Sequence, residues 1–185
     1  MKLARISVLV LVMGIAAFVV LGGTTVSGLP TAPRGAAPHP PLSGGASSVD
    51  ELLGRFVKAL EANDGDALEA LRVTEDEYRK IIMPGSVKPG EPPQKLSPRA
   101  DEYFWQSLDT KSLYGGRALL AGYNGRTYRI TNVTWLKGID DYAWYRCYDR
   151  LELTLVDQSG EELKLNTGSV AEVDGRFKFI SFIRD

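Results

Sequence analysis

The sequence predicts an α+β domain: helices first, then an antiparallel meander, with the helices packed on one face of a curved sheet. Three observations carry this. Residues 49–123 place apolar side chains at helical spacing, residues 127–183 switch to period two, and turn signals recur between the alternating runs. A charged, apolar N-terminal segment and a proline-rich stretch precede the domain, giving expected boundaries of 1–28, 29–48 and 49–185.

The first segment is an export signal. Lys2 and Arg5 precede Ile6–Leu21, a run without charge in which Ser7 is the polar exception. Ile6–Leu21 makes about 24 Å of helix, and extension to Val26 about 31 Å, enough to cross a bilayer. The run therefore reads either as a signal peptide cut near Val26-Ser27-Gly28 or as an uncleaved anchor. Lys2 and Arg5 stay cytoplasmic in both cases, so the rest of the chain is expected in the cell envelope, outside the cytoplasm. Residues 29–48 hold Pro30, Pro33, Pro38, Pro40 and Pro41 among small residues, the composition of a disordered linker. The sole histidine, His39, lies there and is expected to be solvated.

Helix 1 opens on Ser48-Val49-Asp50-Glu51, a capping box, and carries Val49, Leu52, Leu53, Phe56, Val57 and Leu60 on one stripe. Asn63-Asp64-Gly65 ends it. A short helix over Asp66–Leu71 turns Leu68 and Leu71 inward. Thr74-Glu75-Asp76-Glu77 opens a third helix with Tyr78, Ile81 and Ile82 on one face, stopped by Pro84. Residues 83–98 read as a proline-rich loop. Ala100–Lys111 reads as a helix with Phe104, Trp105 and Leu108, and Gly115-Gly116 as a break before Leu119, Leu120 and Tyr123.

Thr127–Trp135 is a β-branched and aromatic strand. In Ala143–Val156, Tyr145, Cys147, Leu151, Leu153 and Leu155 share one parity, a dry face interrupted by Asp149. Asp157–Gly160 turns the chain, Glu161–Val173 returns, Asp174-Gly175 makes a tight hairpin, and Arg176–Ile183 closes the sheet, with Phe177 and Phe179 on the opposite side from Arg176 and Lys178.

The run Phe56-Val57-Lys58-Ala59-Leu60 into Asn63-Asp64-Gly65-Asp66 and Leu68 resembles the nuclear transport factor 2-like (SnoaL-like) superfamily. Leu71–Tyr78, Trp105, Asp109–Ser112, Gly168-Ser169-Val170 and Gly175–Phe179 look like a group of exported bacterial members. The resemblance covers about Val49–Asp185. It implies a cone-shaped curved antiparallel sheet with the N-terminal helices packed on its concave face, and it constrains function little, because the superfamily holds isomerases, cyclases, dehydratases and transport factors alike.

Chemistry is thinly signalled. Setting aside Lys2 and Arg5 leaves 20 basic against 23 acidic residues, near −3, which gives no footprint for nucleic acid. Cys147 is the single cysteine, so no intrachain disulfide or cysteine metal site forms, and it reads as a small buried hydrophobe. No histidine lies in residues 49–185, and no triad or phosphate cradle is recognisable. No catalytic residue, metal or cofactor is therefore expected. Asp76 and Asp101 suit first helical turns, Asp109 reads as surface and Asp149 as a structural ion pair or edge residue. The ligand-binding candidates are Tyr78, Trp105, Tyr123 and Asp149. The expected function is a membrane-tethered, non-catalytic accessory domain that binds a small apolar ligand or an envelope protein, with a homodimer through the sheet face as a further partner. The alternative is a cone-pocket enzyme, isomerase-, dehydratase- or cyclase-like, acting on a small apolar substrate with Asp149 or Asp76 as base.

Overall fold

A computed structural model describes residues 39–183. The export segment and linker residues 29–38 lie outside the described residues. Elements follow in the order α1 (Val49–Glu61), α2 (Gly65–Glu69), α3 (Glu75–Glu77), a π-helical turn (Tyr78–Ile82), α4 (Met83–Gly85), α5 (Pro98–Tyr123), then β1 (Tyr128–Asp141), β2 (Arg146–Asp157), β3 (Glu162–Thr167), β4 (Val170–Val173) and β5 (Arg176–Phe179). The fold is α+β with a five-stranded antiparallel sheet.

Local chemistry sets the helix starts. Ser48 Oγ accepts the Glu51 N–H at 3.1 Å, but the Glu51 carboxylate reaches back to Ser47 rather than Ser48, so the first capping box is one residue wider than expected. Thr74 and Glu77 form a complete reciprocal box. Asn63 takes a φ of 53° to end α1, and Asp64 accepts the Ala67 N–H at 2.9 Å to start α2. Two helical stops expected from the sequence are absent. Pro84 opens the last turn, where its missing N–H costs least, after a wide turn in which the Met83 N–H bonds the Tyr78 carbonyl. Gly115-Gly116 lie inside α5, which is continuous.

The reason for those glycines is the C-terminal segment. A Cβ on Gly115 would stand 1.9 Å from the Phe182 carbonyl oxygen, and Ser112 Oγ accepts the Phe182 N–H at 2.8 Å. The small residues let residues 181–183 lie directly on the helix.

β2 is central. β1 runs along one side. On the other, Arg146–Tyr148 pair with β4 and Leu151–Val156 with β3. Between the two halves Arg150 sits at φ 57°, at a bulge where β1 carries one extra residue between Trp135 and Gly138, and side-chain parity reverses there. The expected single dry face is therefore split. Leu151, Leu153 and Leu155 face one core, with Tyr148 packed against it, whereas Tyr145 and Cys147 belong to a second core. The return strand is split at the same level by Gly168-Ser169 into β3 and β4. The last strand ends at Phe179 rather than Ile183.

The first core joins Leu52, Leu53, Phe56 and Leu60 of α1, Leu68 and Leu119 to the sheet leucines, with the rings of Phe56, Phe179 and Phe182 within 4.9–6.0 Å of one another. The second core gathers Leu42, Val73, Tyr78, Ile81, Ile82 and Trp105 over Tyr145, Cys147, Ala171 and Val173. Lys178, expected on the opposite side from Phe177 and Phe179, is buried on this second side, its Nζ 2.8 Å from Glu77 Oε2. The Ser43 and Thr74 N–H groups donate to the same carboxylate. Residues 42–48, assigned by composition to the linker, thus pack on the domain: Leu42 and Ala46 are buried, and Ala46 exchanges both backbone hydrogen bonds with Phe177.

Candidate functional site

Two of the four expected ligand residues come together. Tyr78, on the π turn, and Trp105, about two turns into α5, place their rings 5.3 Å apart. Burial raises the Tyr78 phenol above its ordinary value, with Asp101 adding to the effect. Beside them Arg72 leaves α2 as a buried cation. It bonds Glu69 and Asp109, and its guanidinium carbon lies 5.4 Å from the Trp105 ring centre. Its Nη1 is buried without a hydrogen-bond partner, and the cation–π contact offsets part of that cost. Asp109, expected at the surface, is thereby an ion-pair partner of a buried group.

A cleft of about 390 Å³ opens here between Asp66, Glu69, Arg72, Val73, Glu75 and Trp105. Asp66, Glu69 and Glu75 outnumber Arg72 in its wall, and the Thr74 hydroxyl in the lining accepts the Glu77 N–H. Arg72 was missed as a site residue because a lone arginine after a short helix has no local signature; its partners stand 3 and 37 residues away.

The other two expected residues are elsewhere. Tyr123 packs against the first core and donates from its hydroxyl to the Lys164 carbonyl at 2.9 Å. Asp149 sits at the β2 bulge and accepts the Ser169 hydroxyl at 2.5 Å. Neither lines the Trp105 cleft. Asp76 pairs with Lys80 on an exposed helix face, and Asp101 opens α5 and pairs with Arg79. Cys147 is buried, its thiol pushed up to about 12 by burial first and by Asp149 and Asp140 next. His39, expected in solvent, is half-buried with its ring 5.4 Å from Trp144. Among the described residues no group of three His, Cys, Asp or Glu side chains is placed to hold a metal ion, and no helix is long and apolar enough to cross a membrane.

A larger cleft, about 650 Å³, lies between α1, α2 and residues 43–44. Ala59, Ala62, Ala67, Ala70 and Leu71 line it with methyl groups, Arg55 and Lys58 stand on the α1 side, and Asp64 is also in the lining. Sequence reasoning passed over these residues. The signal was present as alanines three apart on each of two successive helical segments, with two cations three apart on the first.

Set against known protein families, curated proteins and solved structures, the chain has no significant match.

Proposed function

We propose that this chain is an exported, membrane-tethered, non-catalytic binding domain of the nuclear transport factor 2-like kind, its curved sheet closed by N-terminal helices on the concave face. The observation that carries the reading is the filled interior: Phe56, Phe179, Phe182 and eight fully buried leucines, Leu52, Leu53, Leu60, Leu119, Leu151, Leu153, Leu155 and Leu165, occupy the space between helices and sheet. An enzyme working inside such a cone needs that space for substrate. Recognition then falls to the outer surface of the helices, where the two clefts lie. The helix-then-meander order supports the superfamily reading, and the N-terminal sequence supports tethering. With core burial beginning at Leu42, the tether is at most residues 29–41, which reach at most roughly 45 Å.

Tethering is tested by fractionating cells that express the full chain with a C-terminal tag. The expected result is full-length protein in the membrane fraction, cut near residues 29–41 by protease added to spheroplasts. Tagged protein found only in the cytoplasm, or protected from the protease, would overturn the reading.

A further inference from the structure

We propose that the α1–α2 cleft binds a single-chain anionic amphiphile, an acyl chain ending in a carboxylate or a phosphate. The volume comes first. About 650 Å³ falls among small-molecule sites, which run roughly 300–1,000 Å³, and is too small for a docked helix. The lining comes next. Ala59 and Leu71 are buried at its floor, and Ala62, Ala67 and Ala70 present exposed methyls, so a saturated chain laid there removes apolar surface on both sides from water.

Charge decides the head group. Asp64, the carboxylate in the lining, already accepts the Ala67 N–H that starts α2. Among the described residues Arg55 pairs with Glu51 alone, at 3.8 Å with both side chains about half exposed, a pair that contributes little. Lys58 has no carboxylate within ion-pair distance among the described residues. Two cations three residues apart on α1 therefore line an apolar trough with their donors available, which matches an anionic head on an apolar tail. The inference rests on the cleft alone, so its failure leaves tethering untouched.

The test uses the full chain in phosphatidylcholine vesicles and three photoreactive probes, each with a mid-chain diazirine: a palmitate, a hexadecyl phosphate and a hexadecanol. Adducts from at least one anionic probe should map by mass spectrometry to residues 55–71, with the alcohol labelling that segment roughly tenfold less, the loss of one charge-assisted hydrogen bond. The preferred anionic probe identifies the head. Arg55→Ala with Lys58→Ala should lower labelling by the same factor without altering the melting curve, since both side chains are exposed. Ala62→Trp should abolish it by filling the trough. Equal labelling by the alcohol, labelling indifferent to these variants, or adducts confined to other segments would overturn the proposal.

Discussion

Lys178 shows how one buried charge ties distant parts of the chain. Its ammonium meets the Glu77 carboxylate inside the second core, and that carboxylate also holds the Ser43 and Thr74 N–H groups. A strand residue, a helix start and the entering segment thus share one polar centre. Lys178→Met should cost about 3–5 kcal/mol in equilibrium urea unfolding, because it strands a buried carboxylate. Adding Glu77→Gln should recover part of the loss by removing the stranded charge. A single-variant loss under about 1 kcal/mol would mean that water reaches the pair. Cys147 supplies a second residue-scale prediction. A thiol pushed up to about 12 is protonated at pH 8, so the native chain should resist iodoacetamide while the urea-unfolded chain reacts. The same shift fixes a sign. The folded state holds this proton more tightly than the unfolded state, whose thiol titrates near 9.0. The contribution to stability is complete below pH 9 and is lost as pH rises from there toward 12. Fast native alkylation at pH 8 would show an accessible thiolate.

At the scale of elements, two glycines in helices should respond with opposite signs. Gly54 in α1 has nothing within 4 Å of an added Cβ, so Gly54→Ala should stabilise by about 0.4–1 kcal/mol through the unfolded chain. Gly115 in α5 lies against the Phe182 carbonyl, so Gly115→Ala should cost about 1–3 kcal/mol despite alanine's better helix propensity. Thermal melts of the two variants check the pair, and a stabilising Gly115→Ala would show that residues 181–183 do not lie on the helix. The contrast explains what was legible. The caps at Ser48 and Thr74 and the Asp174-Gly175 turn, with φ of 48° and 75°, depend on neighbours within a few residues, and all three were legible, though the Glu51 carboxylate reaches Ser47 rather than Ser48. The role of Gly115 depends on a segment 67 residues away, and the Arg150 bulge depends on β3 and β4 stacking end to end beside β2. Before pairing is known, Tyr145, Cys147 and Leu151 look like one face. Of the site residues, Tyr78 and Trp105 were legible as aromatics on helices, whereas the α1–α2 cleft exists only once the two helices are set side by side.

For the whole molecule, the consequential result is where the domain begins. Composition alone assigns residues 29–48 to a linker, because proline and small residues cannot build a core by themselves. They need not do so here. Leu42 is 5% exposed within the second core, Ala46 is 1% exposed and bridges to Phe177, and the Ser43 N–H donates to Glu77 at 2.6 Å. The segment borrows a core made by other elements and covers the free edge of β5 at Phe177. A chain starting at Val49 should therefore be markedly less stable than one starting at His39. Burying Leu42 alone is worth about 1.5–3 kcal/mol, and the lost bridge and the weakened Glu77 centre add to it. The melting temperature should fall by on the order of 10 °C. Leu42→Ala in the longer chain should reproduce most of that fall, whereas His39→Ala, removing one half-buried ring contact, should not. Equal melting of the two chains would mean that residues 42–48 are linker after all, and would lengthen the tether by seven residues.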